Sequence, residues 1–181
     1  ARLSHVTDGY DIYPGHDIGP GQIVVGHQAI AEAIGRRGTV IIDGYAGVAW
    51  QRFCDQLSAA WAAQGVSSEW IDVSIALRPD QELRELTAGS LGGDDPIFGT
   101  AFTGELSDFF NLDALASLRA EGGCDVTVLF GCGAALAGWD GTLVYLEVPK
   151  NEIQFRARAG NQTNLGVAEV ESPKRAYKRN Y

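Results

Sequence analysis

The residues best suited to do chemistry lie in one eight-residue stretch, Gly44-Tyr45-Ala46-Gly47-Val48-Ala49-Trp50-Gln51, between an apolar run and a helical pattern. Laid against the phosphate-binding pattern GxxxxGK[ST], it keeps Gly44 and Gly47. It has Ala49, Trp50 and Gln51 where the last Gly, the Lys and the Ser or Thr belong. Backbone N–H groups at a helix N-terminus can still hold an anion, so Gly44, Tyr45, Ala46, Gly47 and Val48 are candidate phosphate-binding residues. Nothing in the stretch reaches a β- or γ-phosphate with a charge or offers magnesium a hydroxyl. A tight strand-to-helix turn without any ligand uses glycines in the same way.

Phosphoryl chemistry would draw its other groups from elsewhere in the chain. Arg156 and Arg158 in EIQFRARAG are spaced to clamp phosphoryl oxygens from a lid, although RxR is also common on exposed helix ends. Asp72 and Asp95 are the candidate catalytic carboxylates, since a kinase or hydrolase uses one to orient a hydroxyl or carry a metal. Asp95 follows Asp94 in GGDDPIFG, where an ordinary turn before Pro96 would use the same residues. A second glycine pair, Gly131-Cys132-Gly133-Ala134-Ala135, precedes no clear helix and would serve close approach of backbones. His5, His16 and His27 adjoin no nucleophile motif, which sets serine and cysteine triads aside. The three cysteines, Cys54, Cys124 and Cys132, cannot all pair and form no CxxC or Cys/His cluster. Buried free thiols in a reducing compartment are expected, with no metal site.

Elements that could position these residues are legible in the hydrophobic pattern. Four apolar runs read as strands: 39–45, 69–77, 125–132 and 142–149. TVII and VTVLF are continuously apolar, as strands of a parallel sheet covered on both faces are. Helical patterns fall at 27–38, 48–65, 79–89 and 106–123. In the second of these, Phe53, Leu57, Ala60 and Trp61 share a stripe, and Gly65 and Gly122 stand where C-terminal caps belong. Alternation of strand and helix predicts an α/β, doubly wound, mainly parallel sheet flanked by helices. Ligands of such sheets bind at the carboxyl ends of the strands, where all the candidate residues above fall.

The 181 residues, 45% hydrophobic, suit a single domain, with 1–28 wrapping the surface and 160–181 forming a basic C-terminal segment. The net charge of −9 argues against nucleic acid. From position 150 onward seven basic residues face three acidic ones, so this part is +4 and the rest −13. A basic segment of this kind suits an anionic small ligand, an acidic neighbour or plain solvation. No run approaches the roughly 18 apolar residues of a membrane span, and the N-terminus lacks signal-peptide regions. A soluble, cytoplasmic protein is expected. The final segment shows no cap or stop, so the chain is expected to continue in its parent protein.

With these residues in view, the chain resembles the N-terminal domain of bacterial proteins named class I mannose-6-phosphate isomerases. The resemblance is carried by YDIYPG, VIIDGYAGVAW, DDPIFG with ELSDFFNLDALASLR, VLFGCGAAL, and LVYLEVPKNEIQFRARAGNQTNLG followed by AYKRNY. Together these span nearly the whole chain. The resemblance implies a following cupin-type domain that would bind zinc and isomerise a sugar phosphate; these residues supply neither. More distantly, the order of elements is similar to the uridine-kinase branch of P-loop kinases. That implies a P-loop-kinase-like three-layer sandwich in which Gly44 to Gly47 match the phosphate loop and Arg156 and Arg158 the lid arginines; Trp50 and Gln51 depart from it. The leading expectation is a degenerate kinase-like domain, accessory or regulatory in an isomerase-like protein, that binds a phosphate-bearing small molecule and needs no cofactor. The alternatives are an active nucleoside or sugar kinase with a non-standard loop, and a structural or dimerisation module.

Overall fold

The computed structural model describes residues 18–176, apart from 94, 96, 97, 162, 168, 173 and 174. Asp94, Pro96, His5, His16, YDIYPG and the last five residues therefore lie outside the described residues. Helix α1 (His27–Ile34) leads into strand β1 (Gly38–Gly44), and α2 (Trp50–Ala62) into β2 (Ser68–Asp72). After β2 come a 3-10 turn at Val73–Ala76, α3 (Asp80–Ala88), a 3-10 turn at Leu106–Phe109 and α4 (Leu112–Ser117). Strand β3 (Val126–Phe130), a 3-10 turn at Ala134–Ala137, β4 (Thr142–Leu146) and α5 (Lys150–Arg158) follow.

The four strands form one parallel sheet in the order β2-β3-β1-β4. Side chains alternate across a strand, and β1 uses this to feed two cores. Val40 and Ile42 pack with Ala31, Leu57 and Trp61 beneath α1 and α2. Ile41, on the opposite face, packs with Leu129, Val73, Phe110, Leu115 and Ala134. The result is the three-layer α/β arrangement that continuous apolar strands require. Trp61 is fully buried and donates its Nε1–H to the Gly35 carbonyl at 3.0 Å, tying α2 to the end of α1. The second layer stops short of β4, whose Leu143 and Tyr145 stay 60% and 64% exposed.

Several elements depart from the sequence reading for local reasons. The run 69–77 is a strand only to Asp72, whose Oδ1 accepts from the Ser74 N–H at 2.7 Å and starts the 3-10 turn. The pattern 106–123 is two short elements. Phe110 turns into the core at 1% exposure, and the Asn111 side chain accepts from the Ala114 N–H to begin α4. Gly122 therefore caps no helix: α4 ends at Ser117, and the Gly122 N–H donates to Glu69. Gly65 (φ +72) does follow α2, donating to the Ala62 carbonyl. Cys54 is buried, Cys132 half-buried and Cys124 exposed, so the three thiols do not share the burial expected of them. Residues 18–25, before α1, are exposed.

Candidate functional site

The turn after β1 lies at the carboxyl edge of the sheet, and its glycines are pressed from both sides. A Cβ on Gly44 would stand 2.6 Å from the Leu146 carbonyl oxygen, and one on Gly47 would stand 2.8 Å from Ile153 Cγ1. Both distances lie far inside an ordinary van der Waals contact. Close packing against β4 and α5 thus accounts for both glycines without a ligand. Several of the turn's amides are also spent internally. Tyr45 N–H donates to the Leu146 carbonyl (3.3 Å), Val48 N–H to the Tyr45 carbonyl (3.1 Å) and Trp50 N–H to the Val48 carbonyl (2.9 Å). Ala46, between them, is half-buried.

The two arginines occupy different environments. Arg156 reaches the turn, but through a carbonyl: its Nη1 donates to the Gly47 oxygen at 2.8 Å while its Nε pairs with Glu152 at 2.8 Å. It straps α5 to the turn. Arg158 is exposed in the last turn of α5. Where a phosphate loop would carry its lysine and hydroxyl, the Trp50 ring lies 6.2 Å from Phe130 and Gln51 donates to Asp55.

Sequence reasoning missed Asp43, the last β1 residue before Gly44. Its Oδ1 accepts the N–H groups of Gly44 (2.6 Å) and Gly133 (2.9 Å), and its Oδ2 that of Ala135 (2.9 Å). The carboxylate therefore ties the turn after β1 to the loop after β3. Gly133 takes a left-handed conformation (φ +88) there, and a Cβ would strike Phe110 at 2.7 Å, so the Gly131–Ala135 stretch does permit close approach. The signal available in sequence was an acid directly before a glycine turn; its partners lie 90 and 92 residues away.

Among the described residues, two clefts lie along this edge. The larger, about 540 Å³, is bounded by Asp43, Gly44 and Tyr45 on the β1 side, by Tyr145 of β4, and by Phe102 and Phe109 from the segment before α4. Phe102 and Phe109 meet edge to face at 5.5 Å. The other, about 430 Å³, includes Asp72, Ser74 and Arg78. Arg78 donates through Nε to the Phe110 carbonyl at 3.3 Å. The clefts abut at Ala46, Cys132, Asn164 and Leu165. Burial, with Asp43 close by, pushes the Cys132 thiol up to about 11, so it faces both clefts as a neutral group. Asp95 lines neither; its Oδ1 accepts the Phe98 N–H at 2.7 Å in an exposed setting. A smaller hollow of about 240 Å³ lies beside Ala49, lined by His27, Arg52, Glu147 and Arg156. Among the described residues, no group of three or more His, Cys, Asp or Glu is placed to hold a metal ion, and no helix is long and apolar enough to cross a membrane.

A parallel sheet of this order, with helices on both faces, a glycine turn between β1 and a long helix, and clefts at its carboxyl edge, defines a three-layer α/β fold. The chain belongs to the family described as a domain of unknown function (DUF8485), which matches residues 26–181. Among solved structures it is similar to a protein described as a fructose transport system kinase from Silicibacter sp. TM1040. The two are 15% identical with a TM-score of 0.52, over 75% of this chain and 81% of that one. At that identity the likeness establishes the fold alone. No curated protein matches the sequence.

Proposed function

We propose that this domain keeps the kinase fold as a small-molecule-binding unit without phosphoryl-transfer activity, its ligand seated in the clefts at the carboxyl edge of the sheet. One observation carries the reading: the turn that would cradle phosphate is filled by the protein itself. Its glycines are packed against Leu146 and Ile153, and its Gly44, Tyr45 and Val48 amides are bonded internally. Trp50 and Gln51 stand where a cation and a magnesium ligand belong. Losing such a group at a transferring phosphoryl commonly lowers rate by orders of magnitude. What remains open is a cleft of about 540 Å³, within the range of about 300–1,000 Å³ that small-molecule sites occupy. In this reading Asp72, Ser74 and Arg78 in the adjoining cleft hold hydroxyl or carbonyl groups of the ligand rather than activate them. An accessory role beside a cupin-type domain in an isomerase-like protein rests on the sequence resemblance alone.

The test is calorimetric titration with uncharged ring-bearing probes, uridine, indole and phenyl β-glucopyranoside, together with an assay of Mg-ATP turnover. Saturable binding of one of these probes and no turnover are expected. No binding at millimolar concentration would remove the cleft as a site, and robust ATP-dependent phosphorylation would restore the active-kinase reading.

A second reading keeps the phosphate ligand and is favoured by the hollow beside Ala49. There Arg52, Arg156 and His27 converge at the N-terminal end of α2, where backbone N–H groups and the helix dipole favour an anion. Of the candidate phosphate residues, Val48 and Arg156 line this hollow, and with Arg52 they would hold a phosphate ester from that side; Gly44 to Gly47 and Arg158 do not line it. Replacing Arg52 and Arg156 by alanine should abolish phosphate-ester binding if this reading holds.

A further inference from the structure

Asp43 stands at the end of β1 on the wall of the larger cleft and accepts three backbone N–H groups, two of them from the loop after β3. Gly133, in the left-handed region, aims its own N–H and that of Ala135 at the same carboxylate. N–H groups turned toward one point make an anion-binding concavity. Here the anion belongs to the protein. We infer that Asp43 is the specificity-determining residue of the cleft: its carboxylate occupies the anion seat at the sheet edge, so the cleft takes a ring-bearing small molecule that carries no phosphate or carboxylate group. The inference rests on the cleft being a small-molecule site.

Charge and shape point the same way. Asp43 is the one charged side chain among the described residues lining the larger cleft. An anionic ligand would meet a like charge there and no cation to offset it. The walls are instead ring faces and hydroxyls. Phe102, Phe109 and Tyr145 present aromatic surface that favours stacked or edge-to-face rings. Ser90, Thr100 and Asn164 add neutral hydrogen-bonding groups that suit hydroxyls or carbonyls on the ligand. A phosphorylated form of the ligand is rejected because the seat its phosphate would need is already taken.

Inorganic phosphate is the probe that tests this. Isotope-labelled wild type, Asp43→Ala and Asp43→Ser are titrated with sodium phosphate against sodium chloride of equal ionic strength, and the amide resonances of Gly133 and Ala135 are followed by NMR. Wild type should show no saturable shift of these two amides at millimolar phosphate. The variants should gain one, with affinity for phosphate raised at least tenfold. Should a variant not fold unaided, formate, small enough for the vacated space, should restore a cooperative unfolding transition. Saturable shifts of Gly133 and Ala135 in wild type overturn the inference. So does a folded variant that ignores phosphate, or failure of both variants to fold in formate and in phosphate. These amides report on the anion seat whatever the neutral probes do, so failure of the cleft as a site is seen separately, in the calorimetry.

Discussion

Adding one methyl group at Gly47 should destabilise the protein, and truncating Ile153 should remove the cost. The methyl of Gly47→Ala would lie 2.8 Å from Ile153 Cγ1 and 3.3 Å from both Cγ2 and Cδ1. An ordinary carbon–carbon contact is about 3.5–4.0 Å, so three atoms of one side chain must give way. Ile153 is 5% exposed and cannot swing into solvent. Overpacking of this kind costs about 1–3 kcal/mol, equivalent to roughly 2–4 °C in Tm per kcal/mol for a chain of this size. Ile153→Ala alone should cost about 2–5 kcal/mol through the cavity it leaves. In the double variant the new methyl enters space that Ile153 has vacated, so the two costs should fall short of additivity by about 1–3 kcal/mol. Urea denaturation of the four proteins, compared by transition midpoint and slope, measures the coupling. A cost for Gly47→Ala below about 0.5 kcal/mol, or the same cost with and without Ile153, would refute the packing role of this glycine.

Other consequences can be checked in the same way. Arg156→Ala should lower stability by about 0.5–1.5 kcal/mol, as a half-buried guanidinium bonded to the Gly47 carbonyl and Glu152 is lost; Arg158→Ala should be within error of wild type in urea denaturation. Burial first, then Asp72, pushes the Cys54 thiol up to about 12, and burial with Asp43 pushes Cys132 to about 11. Both folded values lie above the ordinary 9.0. The neutral thiols therefore contribute their full stability below that pH, and it is lost as pH rises through 9 toward 11–12. A Cys54→Ala/Cys132→Ala variant should show a shallower loss over that window. Near pH 8 a thiol reagent should label exposed Cys124 quickly and the other two only on unfolding. Backbone and side-chain hydrogen bonds from Ser67 hold the Asp125 carboxyl below its ordinary range. Their contribution is present above the ordinary carboxylate value and disappears as pH falls below it, so acid unfolding of Asp125→Asn should begin from a lower plateau.

The parallel sheet was legible because strands buried on both faces carry uninterrupted Val, Ile and Leu, and no other common element of that length does. Boundaries failed where a polar side chain overrode a periodic pattern. Asp72 and Asn111 each accept a backbone N–H just ahead of a new turn, and both are standard cap residues. Reading them as caps would have split 69–77 and 106–123 correctly. The site was less visible. Glycines 44 and 47 were found, but the sequence could not tell a cradle from a packed turn. That depends on Leu146 and Ile153, which lie about a hundred positions away. The aromatic wall joins Tyr45, Phe102, Phe109 and Tyr145 from separate segments, with no spacing in the chain to announce it. Asp43 read as one more strand residue because its acceptor role appears only when the β3 loop folds beside it.

The claim that the glycine turn is packed shut to nucleotide phosphate is tested most directly by following the amide resonances of Gly44, Gly47 and Val48 by NMR during titration with Mg-ATP. The account predicts that these three amides stay in place up to millimolar nucleotide, whatever happens in the neighbouring clefts. A saturable shift of Gly44 and Gly47 together would contradict it and return the turn to service as a phosphate loop.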